Sequence, residues 1–313
     1  MIAALGTQAV RALTARTAVT VDRSRCVRHR CRHNECRKCL DVCPAGATSW
    51  SERGLSIAPA ACRQCLRCLA VCPAEALQAP ELSLSQVLAD LSAHPAPVLG
   101  CQLRSGSAAH GRLPCLGYLA RPELLLLFAL VFADGLQLNL TCCQECPNGH
   151  VVPDLQAAHA GLAALKEDHR ITLVSSPAEL DYRPASLSRR ELFCFFRDRS
   201  TRTAGVMLER LQAGAAAQAY GNKKLPQVRA MLLQALKTVP ETQQRRVSAQ
   251  LFGQVSFTSA CTACGGCVGI CPTGAIQPAE EGMAAPLFDR EHCVSCGSCQ
   301  AFCRKQGALL TPG

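Results

Sequence analysis

Residues 261–275, CTACGGCVGICPTGA, place Cys261, Cys264, Cys267 and Cys271 within eleven residues and set Pro272 directly behind the last. Thiols crowded in this way cannot all pair with one another. The wording returns from Cys62, CRQCLRCLAVCPAEAL, and from Cys293, CVSCGSCQAFCRKQGALL; a fourth copy from Cys31, CRHNECRKCLDVCPAGA, has a wider first gap. The copies come in pairs, one pair between Cys31 and Leu77 and the other between Cys261 and Leu309, so a duplicated module flanks something else. Each copy ends in a short turn and an apolar residue: PAGAT at Pro44, PAEAL at Pro73, PTGAI at Pro272 and RKQGAL at Arg304.

Composition limits what the repeat can mean. The chain has 313 residues, 49% hydrophobic, enough for two or three domains. Aromatic residues are 4%, so the interior must be filled by smaller side chains or by something that is not protein. The 23 cysteines are an odd number. The start, MIAALGTQAVRALTARTAV, lacks the charged opening, apolar core and cleavage site of a secretory signal. The expectation is a reduced cytoplasmic compartment, where clustered thiols serve as metal ligands rather than disulfides. No membrane span is expected, because the best apolar run, Leu124 to Phe132, is far short of the roughly 20 residues required and reads as a core helix.

Net charge is +10. Part of it lies at the front, where Arg23, Arg25, Arg28, Arg30, Arg32, Arg37 and Lys38 outnumber Asp22, Glu35 and Asp41. Such a patch could meet nucleic acid, an anionic membrane or an acidic protein. Its basic residues alternate with Cys26, Cys31, Cys36 and Cys39 rather than with stacking aromatics, which makes nucleic acid the weakest of the three. A solvated surface is an equally good reading.

The spacing suits an iron–sulfur cubane, whose irons each take one thiolate. C-x2-C-x2-C turns three sulfurs around a compact object, and the x3-C-P extension sends the fourth to a neighbouring cluster. Small residues such as Gly265 and Gly266 let backbone amides approach the sulfurs. Structural zinc also takes C-x2-C pairs, but it has no use for such a quartet twice per module.

On these motifs both pairs resemble bacterial two-cluster [4Fe-4S] ferredoxin domains. The copies at Cys62, Cys261 and Cys293 match that signature's spacing, and the last departs only in having Arg304 after Cys303. The resemblance implies four [4Fe-4S] clusters. Cys261, Cys264, Cys267 and Cys303 would hold one, and Cys293, Cys296, Cys299 and Cys271 its neighbour. Cys62, Cys65, Cys68 and Cys43 would hold a third, and Cys36, Cys39 and Cys72 three corners of the fourth. Its last corner is open between Cys31, x4 before Cys36, and Cys26, x9 before it; compactness favours Cys31.

The middle segment reads strand, helix, strand, helix, strand: PVLGC ending at Cys101, PELLLLFALVFADG, LQLNL, DLQAAHAGLAALKEDH and ITLVSS. That order predicts a small α/β layer with a parallel sheet. The helix LSLSQVLADLSAH precedes it, and ERGLSIAPAAC and EEGMAAPLFDREHC read as short strands within the modules. Cys101, Cys115, Cys143 and Cys146 could converge at the carboxyl edge of the sheet and hold a fifth cluster, [2Fe-2S] or [4Fe-4S], with zinc as the alternative. Cys143 is preferred to Cys142 for its x2 spacing to Cys146. His110 and His150 could each replace a thiolate, though a surface or capping role is the plainer reading. The order of an early cysteine, PCLG, a Leu-rich helix, ADG with a strand, and C-x2-C beside Gly149 and His150 resembles the delta subunit of methyl-viologen-reducing hydrogenases. That resemblance implies an iron–sulfur domain that relays electrons.

The expected architecture is therefore multidomain α+β and α/β: two ferredoxin-like two-cluster modules around a small parallel-sheet domain, with a helical linker. The expected boundaries are a tail at 1–22, a module at 23–82, a linker helix at 83–96, the α/β domain at 97–180, a helical linker at 181–253 and a second module at 254–313. Lone Cys194 in the linker reads as a small buried apolar residue. No GxGxxG after a strand, Walker loop, molybdopterin or flavin signature is present. The expectation is a polyferredoxin-like electron carrier that serves a redox enzyme subunit or a small electron carrier. Two rivals are a catalytic subunit reducing a disulfide or sulfur compound at the middle cluster, with Cys142 as reactive thiol, and an iron–sulfur scaffold or sensor.

Overall fold

The computed structural model describes residues 19–103, 108–184 and 223–313. In the first module, β1 (Thr20–Val21), β2 (Thr48–Ser51), β3 (Gly54–Ile57) and β4 (Leu77–Gln78) form two antiparallel ribbons, β1 with β4 and β2 with β3. One local device starts them. Three residues after Cys43, Cys72, Cys271 and Cys303, the residues Gly46, Glu75, Gly274 and Gln306 all have positive φ. The left-handed residue reverses the chain, and the residue after it, Ala47, Ala76, Ala275 or Gly307, is buried. Its carbonyl then accepts the N–H of Ala58, Asp22, Asp289 or Thr258 at 2.7–3.1 Å. A small residue is required there: a Cβ on Gly307 would lie 2.9 Å from Cys261 Cα.

The middle of the chain forms a four-stranded sheet from β5 (Val98–Cys101), β6 (Gly111–Leu113), β7 (Leu136–Asn139) and β8 (Ile171–Val174), in the order β6-β5-β7-β8 and parallel throughout. Leu99 and Leu138 are register partners in adjacent strands. The helices foreseen in the sequence appear as Leu84–Ser92, Pro122–Val131 and Val152–Leu165. Ser83 caps the first by accepting the Gln86 N–H at 3.4 Å. Pro122 opens the second, whose residues Leu124 to Val131 are all buried. With no polar face, that helix needs cover on every side. Helix Gln227–Leu236 packs against it, with Val228 and Leu232 inside. Strand β6 was not expected; it is three residues long, and Gly111 suits it because a Cβ there would lie 2.8 Å from Leu91 Cγ.

Of the expected linker helices, PQVRAMLLQALKTV gives Gln227–Leu236, and Glu241–Leu251 follows. SRRELFCFFRD, TAGVMLERLQAGAAAQAY and Cys194 lie outside the described residues. The second module repeats the first: β9 (Gln254–Phe257) pairs with β12 (Ala308–Thr311), and β10 (Ile276–Gln277) with β11 (Leu287–Phe288).

Candidate metal centres

The three C-x2-C-x2-C loops share a backbone path. The residues flanking each middle cysteine are left-handed: Gln64 and Leu66, Ala263 and Gly265, Ser295 and Gly297, with φ between 49° and 74°. Left-handed residues alternating with right-handed ones turn successive N–H groups into one concavity suited to anionic sulfur. Holding a side-chain-bearing residue there costs about 1–2 kcal/mol. A short helix follows in each case, Arg67–Val71, Gly266–Ile270 or Ser298–Phe302, and carries the third cysteine. The first copy lacks left-handed residues at this point and presents Cys39 from helix Lys38–Asp41.

The thiols gather in four quartets, each lining a cavity. At site A these are Cys26, Cys36, Cys39 and Cys72; at site B, Cys43, Cys62, Cys65 and Cys68. Site C has Cys261, Cys264, Cys267 and Cys303, and site D has Cys271, Cys293, Cys296 and Cys299. Burial pushes the Cys39 thiol up to about 12, and neighbouring Cys72, Cys36 and Cys26 add to the shift. Cys299 is likewise pushed up to about 12 by burial and then by Cys296 and Cys293. At Cys43 burial also acts upward, but hydrogen bonds led by the Ala47 N–H outweigh it and the net shift is downward. The same turn that starts the ribbons supplies these donors. Ala47 and Ala76 give their N–H to Cys43 and Cys72 Sγ at 3.3 Å, and Gly307 to Cys303 Sγ at 3.2 Å.

The geometry sets Cys26, rather than the Cys31 favoured on compactness, beside the other three thiols of site A. Cys26 and Cys31 stand at opposite ends of the one-turn helix Val27–Arg30. That turn leaves Cys26 with Cys39 and Cys72 and carries Cys31, 2% exposed, to the wall of site C. Nearness in sequence misleads because the intervening helix separates the two thiols in space.

In the middle domain Cys101 ends β5, Cys115 follows β6 and Cys143 follows β7, so three thiols meet at the carboxyl edge of the sheet. Cys115 is pushed up to about 12, first by burial and then by Cys101, Cys65 and Cys143. Cys146 lies one turn further on, its N–H on Cys143 O at 3.2 Å and its Sγ accepting the Asn148 N–H at 3.5 Å. Cys142 Sγ instead neighbours Thr141 Oγ1 at 3.8 Å. His110 is a clasp: Nδ1 accepts the Val98 N–H at 3.0 Å, Nε2 lies 2.9 Å from Arg183 O, and the ring stacks on His94. His150 Nε2 is buried with no hydrogen-bond partner, and burial followed by the charge of Arg67 lowers its pKa.

Contacts join these sites to one another. Gly117, just past Cys115, lies so close to site B that a Cβ would stand 2.3 Å from Cys65 O. Asn148 Nδ2 donates to Arg63 O at 2.9 Å, and Arg63 to Pro147 O at 3.3 Å. Cys68 of site B feels Cys39 of site A. Asn34, buried, accepts the Cys36 N–H at 3.0 Å and donates to Cys296 O at 2.9 Å and Ser298 Oγ at 3.0 Å, so one amide spans sites A and D.

A buried ionic network makes a second link. Glu75 accepts the N–H groups of Gln227 and Val228 at 2.6 and 3.0 Å and pairs with Arg121 at 3.0 Å. Arg121 also pairs with Glu123, which pairs with Arg229; Arg229 donates to the carbonyls of Glu291 and Cys293. Burial raises Glu123, but Arg121 and Arg229 outweigh it and hold the carboxyl below its ordinary value. Asn34 and this network were missed in the sequence. The faint signals were an Asn two residues before Cys36 and a Glu where two of the other turns carry Gly.

Among the described residues, no group of three or more His, Cys, Asp or Glu is gathered tightly enough to hold one metal ion. None of their helices is long and apolar enough to cross a membrane. Residues 30–76 and 260–306 each match the 4Fe-4S dicluster domain family. The chain thus carries two such domains, which supports an iron–sulfur electron-transfer role. The first match begins after Cys26. No curated protein matches the sequence.

Proposed function

We propose that this protein is an electron relay in which sites A to D each bind a [4Fe-4S] cluster and the middle cysteines bind a fifth iron–sulfur centre. The observation that carries this reading is the continuity of the thiol sites. Gly117, two residues past Cys115, abuts Cys65 O; Cys39 and Cys68 sit on the packed helices Lys38–Asp41 and Arg67–Val71; and Asn34 holds Cys36 and Cys296 together. The implied series runs from the middle centre through B, A and D to C.

In this reading Cys26 is the fourth ligand of site A, and Cys101, Cys115, Cys143 and Cys146 serve the middle centre. The clusters, when bound, accept and release single electrons. The chain's own residues set the conditions. Burial excludes water, and the amides of Ala47, Ala76 and Gly307 offset negative charge on cysteine sulfur, which favours the reduced state. Such a relay serves a redox enzyme subunit or a small electron carrier.

The test is iron and acid-labile sulfide per chain in anaerobically purified protein, with electron paramagnetic resonance after dithionite reduction. About eighteen to twenty irons with interacting reduced-cluster signals are expected from four cubanes and a middle centre. Zinc in their place, with no reducible signal, overturns the relay.

A further inference from the structure

Site C differs from the other quartets. Its cavity measures about 520 Å³, whereas those of A, B and D are about 20 Å³ each. A, B and D are each lined by a quartet of thiols and site C by its own quartet with Cys31 in addition, so the excess is more than the space a cluster takes. It is a cleft between the end modules, with Arg30, Cys31, Arg32 and His33 on one wall and the site C loops on the other. Here, too, a ligand reaches the surface: Cys264 is the exposed one among the described cysteines.

The cleft is basic. Arg30, Arg32, His33, Arg304 and Lys305 line it, and no carboxylate stands among the described lining residues. Arg32, Arg304 and Lys305 are exposed, and no ion pair engages them among the described residues. Phe302 stands on the same wall, 40% exposed. Gly266 leaves room for its ring, since a Cβ there would lie 2.4 Å from Phe302 Cε1. An exposed aromatic set among arginines is the composition of a protein-docking surface rather than of a metabolite pocket.

We propose that this cleft is the electron port of the molecule, the docking surface for an acidic redox protein that exchanges electrons with site C past Cys264. The port rests on the relay reading above. In each exchange one electron passes between the site C cluster and the partner's centre; one is oxidised and the other reduced by one unit, and no atom or proton need move. Outer-sphere transfer is fastest where donor and acceptor approach most closely, and site C has the open face. The basic rim steers a negatively charged partner onto that face.

The experiment follows haem reduction by the dithionite-reduced full-length protein, freed of excess dithionite, in stopped flow. An acidic b-type cytochrome and a basic c-type cytochrome serve as acceptors across a range of salt. The second-order rate with the acidic acceptor is expected to fall as salt rises, while that with the basic acceptor rises. Arg304→Glu with Lys305→Glu should slow the acidic acceptor about tenfold or more at low salt. Lys237→Glu with Arg246→Glu makes the same change in net charge away from the cleft and should slow it less than about twofold. Arg32→Glu, from the other module, should act in the same direction as the Arg304 and Lys305 changes, so the test stands even if that pair weakens site C. Phe302→Ala should slow the acidic acceptor at every salt concentration. Equal effects of the two double reversals, with iron content intact, would show that net charge rather than the cleft governs docking and would overturn the port alone. A protein with no reducible cluster overturns the relay and the port with it.

Discussion

Glu75 occupies a backbone position that the turns after Cys43 and Cys271 give to glycine, and it does so at φ +48°. The strain, about 1 kcal/mol, is offset by what the carboxylate reaches: the N-terminus of helix Gln227–Leu236 and Arg121. Glu75→Gly relieves the strain but uncaps the helix and breaks a buried pair, so a net loss of about 2 kcal/mol or more is expected in the unfolding midpoint. An unchanged midpoint would mean that the network contributes nothing. Glu123→Gln leaves two buried arginines short of a counter-charge and should cost about 3–5 kcal/mol. The folded carboxyl is held below its ordinary value of 4.5. Its contribution is therefore complete above that value and is lost only as pH falls through the lower folded one. The difference in urea midpoint between wild type and Glu123→Gln should accordingly be the same at pH 6 and pH 8; a smaller difference at pH 6 would place the titration elsewhere. At site A, Cys26→Ser should remove about four irons per chain, while Cys31→Ser keeps them. The reverse result would restore Cys31 as the ligand.

The recurring element is a loop, a one-turn helix and a reversing turn, and its logic is local. Left-handed residues aim the amides in three of the four copies, the helix presents the third thiol, and the turn starts a strand and, after Cys43, Cys72 and Cys303, also donates to the fourth thiol. Larger elements depend on how closely they meet. The segment after Cys115 packs on site B through Gly117, where a methyl group would collide with Cys65 O and with Val151 Cγ1 at 2.9 Å. A backbone carbonyl cannot swing aside as a side chain can, so Gly117→Ala should destabilise by about 1–3 kcal/mol. Iron analysis should show the middle centre lost first, with the four dicluster sites kept. Retention of every iron at an unchanged melting temperature would mean that the middle domain does not depend on this contact.

At the scale of the molecule, two bridges hold the end modules in one arrangement: the Asn34 amide, and the chain of ion pairs from Glu75 to Arg229. If electrons cross from A to D, Asn34→Ala should leave the iron content intact and weaken the magnetic interaction between reduced clusters. A spectrum identical to wild type would show that A and D are not functional neighbours. In the proposed series the open cleft at site C and the middle cysteines beside site B are the two ends.

The sequence alone determined what is local. Cysteines two and three residues apart state their chemistry because the loop that uses them is no longer than the motif. The middle helices and three of the four parallel strands were legible for a related reason: their apolar patterns are as long as the elements themselves. Strand β6 was too short to carry a pattern. Only the tertiary structure placed Cys26 and Cys31 in different cavities, because a helical turn separates thiols that look interchangeable in the sequence. It alone revealed the bridges, whose partners lie 46, 106 and 262 residues apart for Arg121 with Glu75, Arg229 with Glu123 and Asn34 with Cys296. A charged or amide side chain carries no local mark of a distant partner, so the route between sites is a property of packing and not of any motif.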